Sequence, residues 1–228
     1  MNMEKVSVLM PCLNEEKGVG ICIKKIQEVF KKENIDGEII VIDNGSTDKT
    51  IDIVKSFGVK VIHELRRGYG NAYLTGFKHA TGDIIIMGDA DNTYNFYDIP
   101  KFLYEIKDSD FVIGNRKYLN KNSSPFLHRY IGRPVFSILL RWLFHLNISD
   151  SHCGFGAIKR DALDKLKLQS IGMEFASEIL IKAQKNHLRI KEIPIIYYDR
   201  IGSSKLRTFK DGTRHLYLIT KEFLNQVS

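Results

Sequence analysis

The sequence predicts a single α/β domain, with a mostly parallel central sheet flanked by helices. Short β-branched apolar runs alternate with amphipathic stretches of helical period through its first half, the pattern of right-handed βαβ crossovers. Polar and acidic clusters follow directly after three of those runs, where open α/β sheets gather their ligands. With 228 residues, 43% hydrophobic and 27% charged, the chain can bury one real core and is neither disordered nor collagen-like in composition.

The elements read in order as follows. Val6–Met10 is a short apolar strand, and a helix running to Lys32 carries Val19, Ile23, Ile26 and Phe30 on one face. Glu38–Asp43 is a buried strand; Ser46, Thr47 and Asp48 then supply cap residues for a helix holding Ile51, Ile53, Val54 and Phe57. Val59–His63, Tyr69–Ala80 and Asp83–Gly88 read as strand, helix and strand. Beyond Ile113 the pattern loosens: Gly114-Asn115-Arg116 is expected to end a strand, and Asn120–Pro125 to form a loop. Val135–Leu146, Asp161–Leu168, Met173–Lys185 and Gly212–Leu224 read as helices, with Leu188–Ile196 a strand. No repeat or linker divides the chain.

Composition narrows the function classes. The net charge of +7 suits anionic membranes, phosphate-bearing substrates or nucleic acid, without choosing among them. Three cysteines without paired spacing speak for reduced thiols in a cytoplasmic setting and against a disulfide or zinc framework. The first residues lack signal-peptide anatomy, and no charge-free apolar run approaches the roughly 18 residues that span a bilayer. The longest candidate, Pro134–Ile148, is interrupted by Arg141 and His145. The expectation is a chain that does not itself cross a membrane.

Three clusters carry the chemistry. Asp89-Ala90-Asp91 follows an apolar strand, so both carboxylates can reach one divalent cation; such oxygen ligands suit Mg²⁺ or Mn²⁺, which bind diphosphate. A pair of turn aspartates is the plainer reading. Asp43-Asn44-Gly45-Ser46-Thr47-Asp48 places an acceptor carboxylate, Asp43, where it can hold a ribose hydroxyl or a base N–H; Ser46 and Asp48 read as helix caps. In Pro11-Cys12-Leu13-Asn14-Glu15-Glu16, the acids lie near a helix start, where they also complement its dipole. Arg200 and Lys205 lie in a Gly/Ser-containing loop after a strand, as solvated charges or as a cationic segment that binds phosphate.

Taken in order, Val-Ser-Val-Leu-Met-Pro-Cys-Leu-Asn-Glu-Glu, Ile-Val-Ile-Asp-Asn-Gly-Ser-Thr-Asp and Gly-Asp-Ala-Asp resemble the family 2 glycosyltransferases of GT-A (Rossmann-like) fold. Arg67-Gly68-Tyr69-Gly70-Asn71-Ala72, Gly114-Asn115-Arg116, Asp150–Phe155 and Arg200–Leu206 extend the similarity to the dolichyl-phosphate mannose and glucose synthase branch, over nearly the whole chain. By that resemblance Pro11, Asn14, Glu15, Val41, Asp43, Ala90 and Arg116 belong with the aspartate pair to the nucleotide-sugar pocket. Asp89 and Asp91 hold the metal, with Thr93 where close relatives carry a glutamine ligand. Arg116, Arg200, Ser204 and Lys205 meet phosphate, and Asp89, Asp91, Arg200 and Lys205 carry the catalysis. Residues 1–116 then form the donor half and 117–228 the acceptor half. Many relatives carry C-terminal membrane helices that this sequence does not show.

The implied activity is metal-dependent, inverting transfer of glucose or mannose from a UDP- or GDP-sugar to a polyprenyl or dolichyl phosphate. Such an acceptor is already anionic near neutral pH and needs no general base, whereas a hydroxyl acceptor would need one, with Asp150 or Glu174 as candidates. A non-catalytic subunit that keeps the fold is the reading from another class. Residues 134–146, apolar with Trp142 and Phe144 and flanked by Arg129, Arg133 and Arg141, can lie in a membrane interface or pack on the core. The chain is expected at the cytosolic face of a membrane as a peripheral protein, with a membrane-protein partner possible and no nucleic acid. His152-Cys153 does not form a dyad, since adjacent residues seldom face one another and no orienting group is evident. Gly68-Tyr69-Gly70 lacks the third glycine of a dinucleotide fingerprint and follows the third strand, which disfavours a Rossmann dehydrogenase.

Overall fold

A computed structural model describes residues 4–119, 133–202 and 208–227. The expected loop at 120–125, Arg129, Ser204 and Lys205 lie outside the described residues. The strands are β1 (Val6–Cys12), β2 (Gly37–Asp43), β3 (Lys60–His63), β4 (Ile84–Met87), β5 (Phe111–Leu119), β6 (Gly156–Lys159) and β7 (Ile190–Tyr197). The helices are α1 (Val19–Lys32), α2 (Thr50–Ser56), α3 (Tyr69–His79), α4 (Ile99–Glu105), α5 (Arg133–Phe144), α6 (Arg160–Lys165), α7 (Phe175–Lys185) and α8 (Thr208–Val227).

One seven-stranded sheet runs in the order β3-β2-β1-β4-β6-β5-β7. β1 pairs in parallel with β2 and β4, β2 with β3, and β5 with β7; β6 is antiparallel to both its neighbours. This is the mostly parallel sheet that the sequence predicts. β1 and β4 are rich in β-branched and large apolar residues because helices cover both of their faces; Val8, Leu9, Met10, Ile85 and Ile86 are fully buried. On α1, Val19, Cys22, Ile23, Ile26 and Val29 turn one face inward, and each larger apolar side chain contributes about 1.5–3 kcal/mol of burial.

Three elements depart from expectation. β5 does not end at Arg116; its pairing with β7 shifts register between Asn115 and Tyr118 and continues to Leu119. The irregularity occurs where polar residues interrupt the apolar run, which makes the strand look finished. β6 was not expected at all, since its four residues, Gly-Ala-Ile-Lys, carry too little pattern to separate a strand from a loop. α8 is also longer than Gly212–Leu224, beginning at Thr208 and reaching Val227.

Candidate active site

The register of the sheet assembles the three clusters. Cys12 pairs with Asp43, Asp43 with His63, and Leu9 with Met87, so β1, β2 and β4 end side by side. The chain leaves β1 toward β2 and returns on the opposite flank as β4, which makes the β1/β4 boundary a topological switch point with a crevice beyond the strand ends.

On the β1/β2 side, the loops are cross-linked. Asn14, in the left-handed region at φ 55°, donates its N–H to Ser46 Oγ (3.0 Å) and accepts the Thr47 N–H at Oδ1 (2.7 Å). Asp43 accepts the Ser46 N–H at Oδ1 (2.9 Å), while its Oδ2 lies 3.1 Å from His63 Nδ1. Asp48 accepts the N–H groups of Thr50 and Glu16 and so knits the two loops together, while the N-cap of α2 is Lys49 and not one of the three residues expected. Asn44 donates to the carbonyls of Glu64 and Arg66 and accepts the Gly68 N–H, drawing the loop after β3 against the same edge. Val41 is fully buried, paired with Met10 and Val61 two residues short of the strand end, so its side chain packs in the core.

The Asp89–Asp91 turn faces the chain that leaves β7. Ile201 donates its N–H to Asp91 O (3.1 Å), and Tyr198 donates to Thr93 O (2.9 Å). Asp91 Oδ1 accepts both the Thr93 N–H (3.0 Å) and its hydroxyl (2.6 Å), and Asp91 Oδ2 pairs with Arg200 Nη1 at 2.8 Å. Thr93 is fully buried and meets the carboxylate pair through Asp91. Arg200 also pairs with Glu15 Oε1, so one guanidinium bridges two buried carboxylates. Asn92, at φ 63°, is held from α1 by Lys25 Nζ (2.8 Å). Asp89 Oδ1 accepts the Tyr69 hydroxyl (3.0 Å). Burial, and then the neighbouring Asp91 charge, push the Asp89 carboxyl up to about 7, against the opposing pull of Tyr69, Arg200 and Arg116.

That shift and the donor chemistry test the implied metal. Two carboxylates one residue apart, one of them starved of positive charge, are the hard oxygen set that Mg²⁺ or Mn²⁺ prefers. Among the described residues, no group of three or more His, Cys, Asp or Glu gathers to hold a metal. By the oxygen chemistry of the pair, Asp89 and Asp91 are the residues that would hold such a cation.

Arg116 lies farther back. Its Nε and Nη2 each donate to an Asp150 oxygen at 2.7 Å, its N–H reaches Asp150 Oδ2 at 3.1 Å, and the guanidinium lies 5.2 Å from the Tyr197 ring centre. Glu192 on β7 braces this pair, accepting the Ser149 and Asp150 N–H groups and the Asn115 side chain. Glu178 accepts the N–H groups of Gln169 and Ser170 and pairs with Lys182, a structural task. Glu174 accepts the Gly172 N–H and pairs with Arg214 of α8 at 3.3 Å. His152 Nδ1 lies 2.7 Å from Ser151 Oγ and its ring tilts against His215, while Cys153 Sγ turns to Phe155 O; no dyad forms between these neighbours. All three cysteines are free and buried. Gly68 and Gly70 serve contact with a neighbouring loop, since a Cβ on either would lie within 2.1 Å of the Ile171 or Ser170 carbonyl oxygen.

On α5, Val135, Ile138 and Trp142 are exposed, Trp142 by 78%, whereas Leu140 and Phe144 are buried against the core. Leu216, Tyr217 and Leu224 of α8 are exposed as well. Among the described residues, no helix is long and apolar enough to cross a membrane. Sequence reasoning missed Tyr69, Glu192 and Arg214, whose partners are distant in the chain and leave no local signal.

The model of the family "Glycosyl transferase family 2" matches residues 7–167. The chain is 40% identical over 215 residues to the low-salt glycan biosynthesis hexosyltransferase Agl6 of Haloferax volcanii, covering 92% of this chain and 52% of that protein. It is 31% identical over 229 residues to the dolichol-phosphate mannosyltransferase of Pyrococcus furiosus, covering 95% and 64%. It thus spans between half and two thirds of the length of these two relatives. Among solved structures, glucosyl-3-phosphoglycerate synthase from Mycobacterium tuberculosis with Mn²⁺, UDP and glucosyl-3-phosphoglycerate superposes with a TM-score of 0.76 at 20% identity, over 96% of this chain and 80% of that one, a likeness of fold.

Proposed function

The chain belongs to glycosyl transferase family 2, and from that premise we propose that it transfers a hexose from a UDP- or GDP-sugar to a polyprenyl or dolichyl phosphate, with inversion. The observation that carries this reading is the carboxylate pair Asp89/Asp91 with the Arg200 guanidinium against it, at the switch point of the sheet. Residues 1–116 supply the donor side, where Asn14, Glu15 and Asp43 line the strand ends; residues 117–228 supply the acceptor side.

Asp89 and Asp91 would hold Mg²⁺ or Mn²⁺, whose charge would stabilise the departing nucleoside diphosphate. Arg200 is suited to bidentate contact with phosphate and stands between Glu15 and Asp91, at the border of the two halves. Lys205 and Ser204, five and four residues farther on, join it as phosphate ligands in this reading. An oxygen of the acceptor phosphate attacks the anomeric carbon, the bond from that carbon to the diphosphate oxygen breaks, and the diphosphate leaves with the electron pair. The protein's task is to align two mutually repelling anions.

A hydroxyl acceptor would require a carboxylate base. Asp150 is tied to Arg116 by two 2.7 Å hydrogen bonds, and Glu174 is paired with Arg214, which favours an acceptor that is already ionised. The name of the Pyrococcus relative, a dolichol-phosphate mannosyltransferase, supports the same choice. The exposed apolar face of α5, joined by that of α8, supports peripheral contact with the cytosolic face of a membrane, with or without a membrane-protein partner.

The test is radiolabelled sugar transfer to polyprenyl phosphate from a panel of UDP- and GDP-sugars, with Mn²⁺, Mg²⁺ or EDTA. A lipid-soluble product from one donor that vanishes in EDTA supports the proposal. Donor hydrolysis without lipid product points instead to a hydroxyl acceptor, and no donor binding at all to a non-catalytic subunit.

A further inference from the structure

Tyr69 opens α3, more than a strand's length in sequence from the carboxylate that its hydroxyl meets. Its position is fixed from several sides. The Gly70 and Asn71 N–H groups donate to the carbonyls of Gly172 and Ile171 (3.2 and 3.1 Å), which anchors the start of the helix. The ring packs edge-on against Tyr73 (centroids 5.0 Å apart) and Phe175 (6.2 Å). Across from the hydroxyl is the bare Cα of Gly154: a Cβ there would lie 2.7 Å from Tyr69 Oη, 2.9 Å from Asp89 Oδ2 and 3.2 Å from Tyr94 Oη. Gly154 is itself held, donating its N–H to Tyr94 Oη at 2.8 Å.

We propose that Tyr69 is a positioning residue for the metal-binding carboxylate of Asp89. It holds Oδ1 so that the carboxylate keeps one rotamer and one face toward the cation. Asp91 likewise has its Oδ1 pinned, by the Thr93 hydroxyl and N–H, and in addition pairs its Oδ2 with Arg200. Gly154 completes the arrangement by leaving room for the carboxylate to turn its other oxygen past the loop. Partners of this kind, which touch a ligand and not the ion, are worth about 10–100-fold in metal affinity.

The proposal rests on the reading of Asp89 and Asp91 as the metal pair, and the experiment separates the two. Mn²⁺ is titrated into the full chain with UDP or GDP and followed by electron paramagnetic resonance, using wild type, Tyr69→Phe, Gly154→Ala and, as a control, Tyr73→Phe. Wild type is expected to bind Mn²⁺ with one of the nucleotides. Tyr69→Phe, which keeps the ring, should weaken that binding about tenfold or more. It should also alter the bound-Mn²⁺ spectrum and recover kcat at saturating Mn²⁺. Gly154→Ala should weaken binding through displacement of the carboxylate, and Tyr73→Phe should stay within about twofold of wild type. Wild-type binding matched by Tyr69→Phe, with an unchanged spectrum, overturns the role of Tyr69 alone. Failure of wild type to bind Mn²⁺ with either nucleotide overturns the metal reading, and this proposal with it.

Discussion

Replacing Asp150 by alanine tests whether Arg116 is locked in place or held ready for a ligand. Arg116 is only 9% exposed and Asp150 2%, so the change leaves a guanidinium inside the protein without its counter-charge. Three N–H groups lose their acceptor together: Nε and Nη2 at 2.7 Å and the backbone N–H at 3.1 Å. The Tyr197 ring remains, but a cation–π contact is worth about 1–2 kcal/mol and cannot replace a buried carboxylate. Breaking such a pair from one side costs about 3–5 kcal/mol, a large share of the roughly 5–15 kcal/mol that holds a domain together. For a domain of this size each kcal/mol moves Tm by about 2–4 °C, so Asp150→Ala should melt about 6–20 °C below wild type.

The assay is thermal unfolding followed by circular dichroism, with Arg116→Met/Asp150→Leu as its complement. Removing both charges deletes the desolvation cost as well as the attraction, and the double variant should lie closer to wild type than Asp150→Ala does. A Tm loss under about 3 °C for Asp150→Ala, or a double variant no better than the single, would refute the locked pair. It would return Arg116 to the role of an open phosphate ligand.

Hydrogen bonds from Arg66, and then from Thr75, hold the Glu64 carboxyl down at about 2 against an ordinary 4.5, so its contribution is present above about 4.5 and lost as pH falls through about 2. The Tm deficit of Glu64→Gln should therefore be full at pH 6 and closed near pH 2; a deficit that stays constant across that range sinks the assignment. Val135→Ser/Ile138→Ser/Trp142→Ser should leave the fold intact, since all three side chains are exposed, and should abolish flotation with liposomes containing anionic lipid. Unchanged flotation removes α5 from membrane contact, and changing buried Phe144 instead would only damage the core.

The strand ends where the acidic clusters gather were legible because their signal is local. A parallel strand flanked by helices is a dense apolar run whose end is where the run stops; Asp43 is the last residue of one such strand, and Asp89 follows just after the end of another. Val41 shows the limit of that logic: two residues before the end, the side chain is still core. The antiparallel β6 escaped because four residues cannot show a period, and β5 was cut short because an irregular pairing resembles a strand end. Tyr69, Glu192 and Arg214 were invisible for a different reason. Each acts on a group 20 to 42 residues away along the chain, and only the folded sheet brings them together.

Charge balance at the strand ends explains why a cation has a defined place there. Glu15, Asp43 and Asp91 are buried and partnered: Asp43 accepts the Ser46 N–H and lies 3.1 Å from His63 Nδ1, while Glu15 and Asp91 share Arg200. Asp89 has Tyr69, a neutral donor that directs the carboxylate without cancelling its charge, and the more distant pull of Arg200 and Arg116. A buried carboxylate without an adjacent cation favours its protonated form, and burial, with the Asp91 charge beside it, pushes Asp89 up to about 7. Its Oδ2 faces the bare Cα of Gly154. A divalent ion gains most where positive charge is lacking, so the same burial that makes Asp89 costly when ionised favours a cation beside it.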